Sequence, residues 1–303
     1  MTSRARLAPL LAVALLAGAC QPPDAGRPDF EALAYLRIVA AEDARPAGGP
    51  GLETLLRGTA SPSPTLRAVA VRALGRLENP DRIESIAPLL DDEEPTVRRS
   101  AADALAQAVH RGPGTPALAL LLDAVGREQD PSVLGALARS LGRLRLEVDE
   151  RTGVARALVA LSRGPEGDAP PYQMEGVALG MASFVQRLRG APRPAFLQAR
   201  LRELTRYGVR APAGDVGAVR VRELAMAAYG SEGLTAEELG AFLSDPAAEV
   251  RWAAAVRLAS IPDPFRSSLS SLALDDPSPR VRLEALRGGL GVAPLTAEAC
   301  ARL

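Results

Sequence analysis

The stretch PTVRRSAADALA at residues 95–106 is one of five related stretches that decide the fold of this 303-residue chain. In each stretch, Asp, Ser or Glu is followed by Pro, then after a short gap by Val or Leu and a run rich in Ala and Leu. The aligned Val or Leu positions lie 31 or 36 residues apart where the copies are consecutive, and this spacing indicates a repeat architecture. The other four are PTLRAVAVRALG at 64–75, PSVLGALARSLG at 131–142, DPAAEVRWAAAVRLA at 245–259 and DPSPRVRLEAL at 276–286.

Each copy of this motif has the features of a helix start. The Asp or Ser side chain can accept hydrogen bonds from the first free backbone amides, and Pro is tolerated in the first turn. The apolar positions at offsets 0, 4, 5 and 8 fall on one helical face, and alanine there lets neighbouring helices approach closely. Glycines that can stop a helix follow at Gly75, Gly142, Gly180 and Gly230.

A second helical segment follows each copy of the motif. Weaker copies begin at Val219 or Val221 and near Pro171. The pattern therefore predicts an all-α fold, an α-solenoid of stacked antiparallel helix pairs with a long concave binding surface. The second segments are expected at residues 80–90, 116–125, 150–161, 194–207, 236–243 and 264–274.

Units of this length that open with Pro-x-Val-Arg resemble HEAT repeats, and the short spacing resembles the subclass also found in phycobilisome bilin lyases. The resemblance covers residues 50–295. It implies about seven repeats over 61–303, after an N-terminal cap at 29–60 that has a helix at 29–41 and a loop at 44–51. In this family the Arg after the Val often pairs with acids of the adjoining turn. Leu134 interrupts that ladder, whose matching residues are Arg67, Arg98, Arg251 and Arg282.

Residues 1–19 read as an export signal rather than as part of the fold. Two arginines precede an apolar stretch at 7–17, which is too short to span a bilayer. The small residues before Cys20 resemble a bacterial lipoprotein signal, although Ala17 stands where that family prefers Leu. The resemblance implies an exported protein, acylated at Cys20 and tethered by 20–28, and Gln21 favours the outer membrane. The alternative is an ordinary cleaved signal in which Cys20 is incidental.

The composition excludes several kinds of chemistry. All 36 basic residues are arginine, so a lysine Schiff base and a P-loop lysine are excluded. One histidine and the distant Cys20 and Cys300 cannot form an ordinary zinc site. The acidic run at 91–94 lacks the ligand spacing of a calcium loop and reads as a turn before a helix. We therefore predict no catalysis, no cofactor and no metal.

The formal net charge of zero hides two opposite regions. Residues 78–103 carry a net charge of −5, whereas residues 187–222 have nine arginines against two carboxylates. Arg and Tyr dominate interface hot spots, so this basic region could bind an acidic protein segment, a glycan or a lipid headgroup. The alternative is a solvated arginine face on a longer helix pair. The candidate residues are Arg187, Arg189, Arg193, Arg200, Arg202, Arg206, Tyr207 and Arg210.

These patterns favour a lipid-anchored, exported scaffold that binds another protein in the bacterial cell envelope. The low aromatic content and balanced charge give no expectation of nucleic-acid binding. One alternative is a lyase-like or ligand-handling enzyme, which the resemblance to bilin-lyase proteins implies. Another is a structural envelope component that self-associates through its ends, which an exposed apolar face on a terminal repeat would favour.

Overall fold

The computed structural model describes residues 30–165, 167–188, 190–209, 215–230, 234–260 and 265–289. Within these ranges there are fifteen α-helices, three short 3-10 segments and one two-stranded hairpin, β1 Arg163–Gly164 with β2 Gly167–Asp168. The helices are α1 Phe30–Ala44, α2 Gly49–Thr59, α3 Pro64–Arg76, α4 Ile83–Ile86, α5 Pro95–Ala108, α6 Thr115–Arg127, α7 Pro131–Arg143, α8 Val148–Leu161, α9 Pro171–Leu188, α10 Ala195–Leu204, α11 Val216–Tyr229, α12 Ala236–Leu243, α13 Ala248–Ala255, α14 Phe265–Leu274 and α15 Pro279–Gly289.

The helices form two layers. We call α3, α5, α7, α9, α11, α13 and α15 the motif helices, and each packs against the next one along the chain. The intervening helices form the second layer. The pair α1–α2 precedes the first motif helix, α3, and packs against it. The all-α solenoid predicted from the repeats is therefore confirmed.

Side-chain caps start several of these helices, and the cap at α7 is one that the repeat motif predicts. Asp130 accepts hydrogen bonds from the backbone amides of Ser132 and Val133 at the start of α7. Asp215 caps α11 in the same way, and Thr235 forms a reciprocal capping box with Glu238 at α12. These bonds satisfy amides that have no partner inside the helix.

Several local predictions differ from the structure, and Gly180, expected to stop a helix, lies inside α9. The segment at 80–90 is not one helix but a 3-10 turn, the single turn α4 and a second 3-10 turn, because Pro88 has no amide to continue a helix. The loop expected at 44–51 ends at Gly48, and α2 follows with Pro50 in its first turn. The hairpin β1–β2 has no counterpart in the sequence-based expectation.

The closest helix contact lies between α7 and α9. A Cβ atom added to Gly142 would lie 2.0 Å from the carbonyl oxygen of Gly180. One added to Gly176 would lie 2.2 Å from the carbonyl oxygen of Gly135. Only a hydrogen atom fits at these crossings, so four glycines set the distance between the two helices.

Candidate functional site

The motif helices all begin on the same side of the solenoid. We call this side the ladder edge. There, Arg67 donates to both carboxylate oxygens of Asp92, at 2.7 and 2.8 Å. Its Nη1 atom also donates to the carbonyls of Ser61 and Pro62, at 3.0 and 3.1 Å. One side chain thus closes the turn before its own helix and fixes the turn of the next repeat.

The other predicted ladder residues repeat this arrangement. Arg98 forms a two-pronged bond with Glu128, at 2.7 and 3.0 Å. Arg251 does so with Asp276, at 2.6 and 3.1 Å. Arg282 donates to the carbonyls of Asp276 and Pro277, at 2.8 and 3.1 Å, and so closes the turn before its own helix.

The ladder pairs shift the proton equilibria of their carboxylates. The hydrogen bond from Arg67 lowers the pKa of Asp92, although burial opposes the shift. Burial raises the pKa of Glu128, but the hydrogen bond from Arg98 and those from two backbone amides lower it further, so the net shift is downward. These carboxylates are therefore held in the charged form that their arginine partners need.

A further ladder residue was missed by the sequence analysis. Arg222 follows Val221 in α11 as Arg98 follows Val97, and its guanidinium lies 3.2 Å from Asp245. It also donates to the carbonyl of Tyr207 at 3.1 Å. The signal was present in the weaker repeat copy, but Arg222 was counted there only as part of the basic region.

Arg200 occupies the place where the ladder is interrupted. Leu134 and Met174 stand at the ladder position of α7 and α9. From α10, Arg200 reaches the turn before α9 and donates to the hydroxyl and carbonyl of Ser162, at 2.7 and 2.8 Å, and to Asp168. Its side chain is 5% exposed. The prediction that Arg200 contacts a partner is therefore wrong, because the residue lies inside the fold.

The remaining predicted binding residues do not form one patch. Arg202 pairs with Glu238 at 2.8 Å and lies over the ring of Tyr229. Arg206 is exposed and Tyr207 is half-buried, and both are in the turn after α10. Arg187 and Arg193 lie on the opposite side, at and beyond the end of α9. Arg189 and Arg210, like Cys20, fall outside the described residues.

The ends of the motif helices form a second edge, which we call the groove edge. In the first repeats, arginines there are neutralised by acids of the preceding repeat. Glu42, which is buried, accepts hydrogen bonds from Arg72 and Arg76 at 2.9 and 2.8 Å. Asp103 accepts from Arg139 at 2.6 Å. Helix α7 has no carboxylate, so this pattern stops there.

Beyond that point the edge holds an open cleft of about 690 Å³, which we call the arginine groove. Four arginines line it, from the end of α7, the α7–α8 turn, the start of α8 and the end of α9. None of the described residues that line it is Asp or Glu. Its apolar walls include Leu146 and Phe184. The four arginines are Arg143, Arg145, Arg151 and Arg187.

The four arginines of the arginine groove differ in how their charge is compensated. Burial lowers the pKa of Arg143, Asp103 at 3.7 Å opposes this shift, and Arg139 adds to it by like-charge repulsion. Arg145 and Arg151 have no ion-pair or side-chain hydrogen-bond partner among the described residues. An anion bound by Arg145 and Arg151 would therefore gain favourable contacts without displacing an existing carboxylate.

A second groove of about 600 Å³ adjoins the first, and Ser183 and Gln186 line both. It contains Arg193, which donates to the carbonyl of Ala228 at 2.7 Å, and Arg257, which donates to that of Ala227 at 2.8 Å. Burial lowers the pKa of Arg257, and Arg193 adds to that shift. The basic surface thus continues from α7 to α13.

The described residues contain neither a metal-binding cluster nor a membrane-spanning helix. No group of three His, Cys, Asp or Glu residues in the described chain is placed to hold a metal ion. None of the described helices combines the length and apolar character that a membrane crossing requires. Asp92, in the acidic run at 91–94, is taken up by the ladder pair with Arg67.

Comparison with known families identifies the repeats. The sequence model of the HEAT-repeat family matches residues 51–165. This segment is similar in sequence to HEAT repeats. It includes α3, α5 and α7 and the first two ladder pairs. It also includes α7 and α8, the helices that carry Arg143 and Arg151. A search of curated protein sequences finds no match to this chain.

A search of solved structures finds matches that cover most of the length of the matched chains. A chain of the phycocyanin lyase CpcE–CpcF complex from Nostoc sp. PCC7120 is 20% identical with a TM-score of 0.44, and the match covers 85% of this chain and 94% of that one. An archaeal HEAT-like repeat protein from Thermococcus onnurineus NA1 is 14% identical with a TM-score of 0.38, covering 87% and 97%. An engineered protein is 19% identical with a TM-score of 0.28, covering 79% and 95%.

Proposed function

We propose that this protein is a lipid-anchored, exported scaffold, without catalysis, that binds an acidic segment of another envelope protein in the arginine groove. The observation that carries the proposal is the set of four arginines around an open cleft that no described carboxylate lines. The solenoid supplies a rigid frame, since each motif helix is packed between its neighbours.

The chemistry of the groove favours carboxylates as the bound groups. Arginine presents a planar fork that can donate two parallel hydrogen bonds to one carboxylate. Arg145 is exposed and Arg151 half-buried, so both can turn toward a ligand in the cleft. The apolar wall at Leu146, which is half-buried, would contact the aliphatic part of Glu or Asp side chains. An acidic peptide would contact both the arginines and the apolar wall, whereas a free anion would contact only the arginines.

The binding proposal is tested with a Glu-rich peptide and the purified full-length protein. Arg145→Ser combined with Arg151→Ser is expected to weaken binding about tenfold, because two charge-assisted hydrogen-bonding groups are lost. The matched control combines Arg99→Ser with Arg156→Ser, which removes the same charge at two exposed sites outside the groove. Equal weakening in both variants would show a general charge effect and contradict a specific groove.

The membrane anchor is proposed from the signal-like N terminus, with Cys20 as the acylated residue. Cys20→Ala is expected to move the protein from the membrane fraction to the soluble fraction of lysed cells. A labelled fatty acid should be incorporated into the unaltered protein and not into the variant. Retention of the variant in the membrane fraction would contradict the lipid anchor and leave the groove proposal standing.

A further inference from the structure

The outer side of α1 is unusually apolar for the first helix of a solenoid. Phe30, Leu33 and Leu36 are 75%, 42% and 60% exposed, and Ala40 is also exposed. Their spacing places them on one side of the helix. We call these four residues the α1 stripe. Arg37 lies beside them and is exposed, and Asp43 is exposed one turn further on.

The opposite side of α1 is fully used by the fold. Ile38 and Ala41 are buried against α2 and α3, and Glu42 binds Arg72 and Arg76. These contacts fix the rotation of α1 about its axis, so the stripe must face outward. Terminal helices of a solenoid ordinarily need a polar outer face to keep the protein soluble. The stripe is therefore an exposed apolar surface of the kind that a membrane contact, or self-association through this end of the solenoid, would use.

We propose that the α1 stripe lies on the lipid surface of the membrane that holds the acyl anchor. The inference rests on the lipid anchoring in the proposed function. Phe30 follows Cys20 by ten residues, a chain that spans at most about 35 Å when extended. An acylated Cys20 would thus hold α1 close to the bilayer at high local concentration, which favours a weak apolar contact.

The side chains of the stripe suit the bilayer interface. Phe and Leu can enter the region between headgroups and acyl chains, while the peptide groups of α1 stay hydrogen-bonded within the helix. Arg37 can extend to lipid phosphates from the same face. The arginine groove lies three repeats further along the solenoid.

Fluorescence of a single tryptophan in the stripe tests the contact. Trp252 is the chain's one tryptophan and is replaced by Phe, and Leu36→Trp then introduces the reporter into the full-length, acylated protein. The protein is reconstituted into vesicles of phosphatidylcholine and phosphatidylglycerol, with and without brominated acyl chains. We expect a blue shift of the emission on reconstitution and a loss of intensity with the brominated lipid.

Val148→Trp in the same background is the control, because Val148 is 74% exposed at the start of α8 and belongs to no apolar stripe. Its emission should remain unshifted and unquenched. Leu33→Trp gives an independent reporter if Leu36→Trp disturbs folding. Unquenched emission from both stripe reporters in vesicle-bound protein would overturn the inference and leave the anchor intact.

Two further outcomes would also overturn it. A blue shift without quenching that grows with protein density would show that a second copy of the chain covers the stripe. Failure of the protein to associate with vesicles at all would remove the anchor, and the inference with it. Quenching that is lost when Leu33→Ser is added beside the Leu36→Trp reporter, while the protein stays on the vesicles, would support the lipid contact.

Discussion

The two edges of this solenoid use arginine in opposite ways. On the ladder edge, Arg67, Arg98 and Arg251 each bind a carboxylate of the next repeat and two carbonyls of their own turn. On the groove edge, arginines of the early repeats have carboxylate partners, but Arg145 and Arg151 have none among the described residues. The residue type is the same, and its role depends on whether the neighbouring repeat supplies an acid.

This difference separates stability from binding within one structure. A fully bonded guanidinium that is nearly buried has no donor left for a ligand, and removing it leaves its partners unsatisfied. An exposed guanidinium without a carboxylate contributes little to stability and keeps its donors available. The basic region at 187–222 contained both kinds, so net charge alone did not locate a binding site.

Gly142→Ala should have the largest effect, because it tests the helix contact that shapes the groove. The added Cβ would meet the Gly180 carbonyl, so α7 and α9 must separate, and we expect a loss of about 3 kcal/mol in the free energy of unfolding. Urea denaturation followed by circular dichroism measures it. Gly126→Ala is the control, since its Cβ would meet nothing within 4 Å, and it should be neutral or slightly stabilising.

Arg200→Ala compared with Arg145→Ala tests the contrast between structural and available arginines directly. We expect Arg200→Ala to lower the free energy of unfolding by about 2 kcal/mol, because the Ser162 carbonyl and hydroxyl lose their partner. Arg145→Ala should change it by less than about 0.5 kcal/mol. The same denaturation experiment serves for both. Equal losses would mean that Arg145 is also structural, and the proposed division between the edges would be wrong.

Gln186→Glu would make the groove edge resemble the ladder edge. Gln186 lines both grooves and is exposed, so a carboxylate there can pair with the groove arginines. We expect stability to rise by at most about 1 kcal/mol, while binding of the Glu-rich peptide weakens several-fold in a fluorescence anisotropy titration. Gln129→Glu, an exposed position on the ladder edge, adds the same charge and should leave peptide binding unchanged.

The smallest expected effect is on the pH dependence of unfolding, and it tests the ladder edge alone. Because the pKa of Asp92 is lowered in the folded protein, the unfolded chain takes up the proton first. Its stabilising contribution is therefore present above about pH 4 and is lost as the pH falls through the lower folded value. We expect Asp92→Asn to flatten the dependence of unfolding free energy on pH in that range. Asp81→Asn, at an exposed site outside the ladder, should keep the original slope.

The part of the site that followed from local sequence is the ladder. Each ladder arginine directly follows the conserved apolar position of its repeat. Aligning the repeat copies therefore located Arg67, Arg98 and Arg251. Arg222 obeys the same rule and was missed because its copy is weak. The arginine groove has a fainter signal, since residues 131–146 contain three arginines and no carboxylate. That window lies outside the basic region on which the sequence analysis concentrated.

Arg200 shows why the rest needed the structure. Its turn-closing role depends on reaching Ser162, 38 residues earlier, and no periodicity in the sequence relates these two positions. Arg187 likewise meets Arg143, Arg145 and Arg151 in one cleft because α7 and α9 touch through glycines. The fourth and fifth motif helices, α9 and α11, begin further apart in the chain than any other consecutive pair, but this spacing does not show what the added residues do.

The sequence by itself determined the helical repeats, their caps and the ladder, because each depends on residues close in the chain or on a fixed period. Tertiary structure decided which arginines are enclosed and which remain available. That decision depends on how closely successive repeats stack and on whether a carboxylate from one repeat reaches the arginine of the next. Such distances are set by packing between helices, and for this protein the decisive contact is the one between α7 and α9.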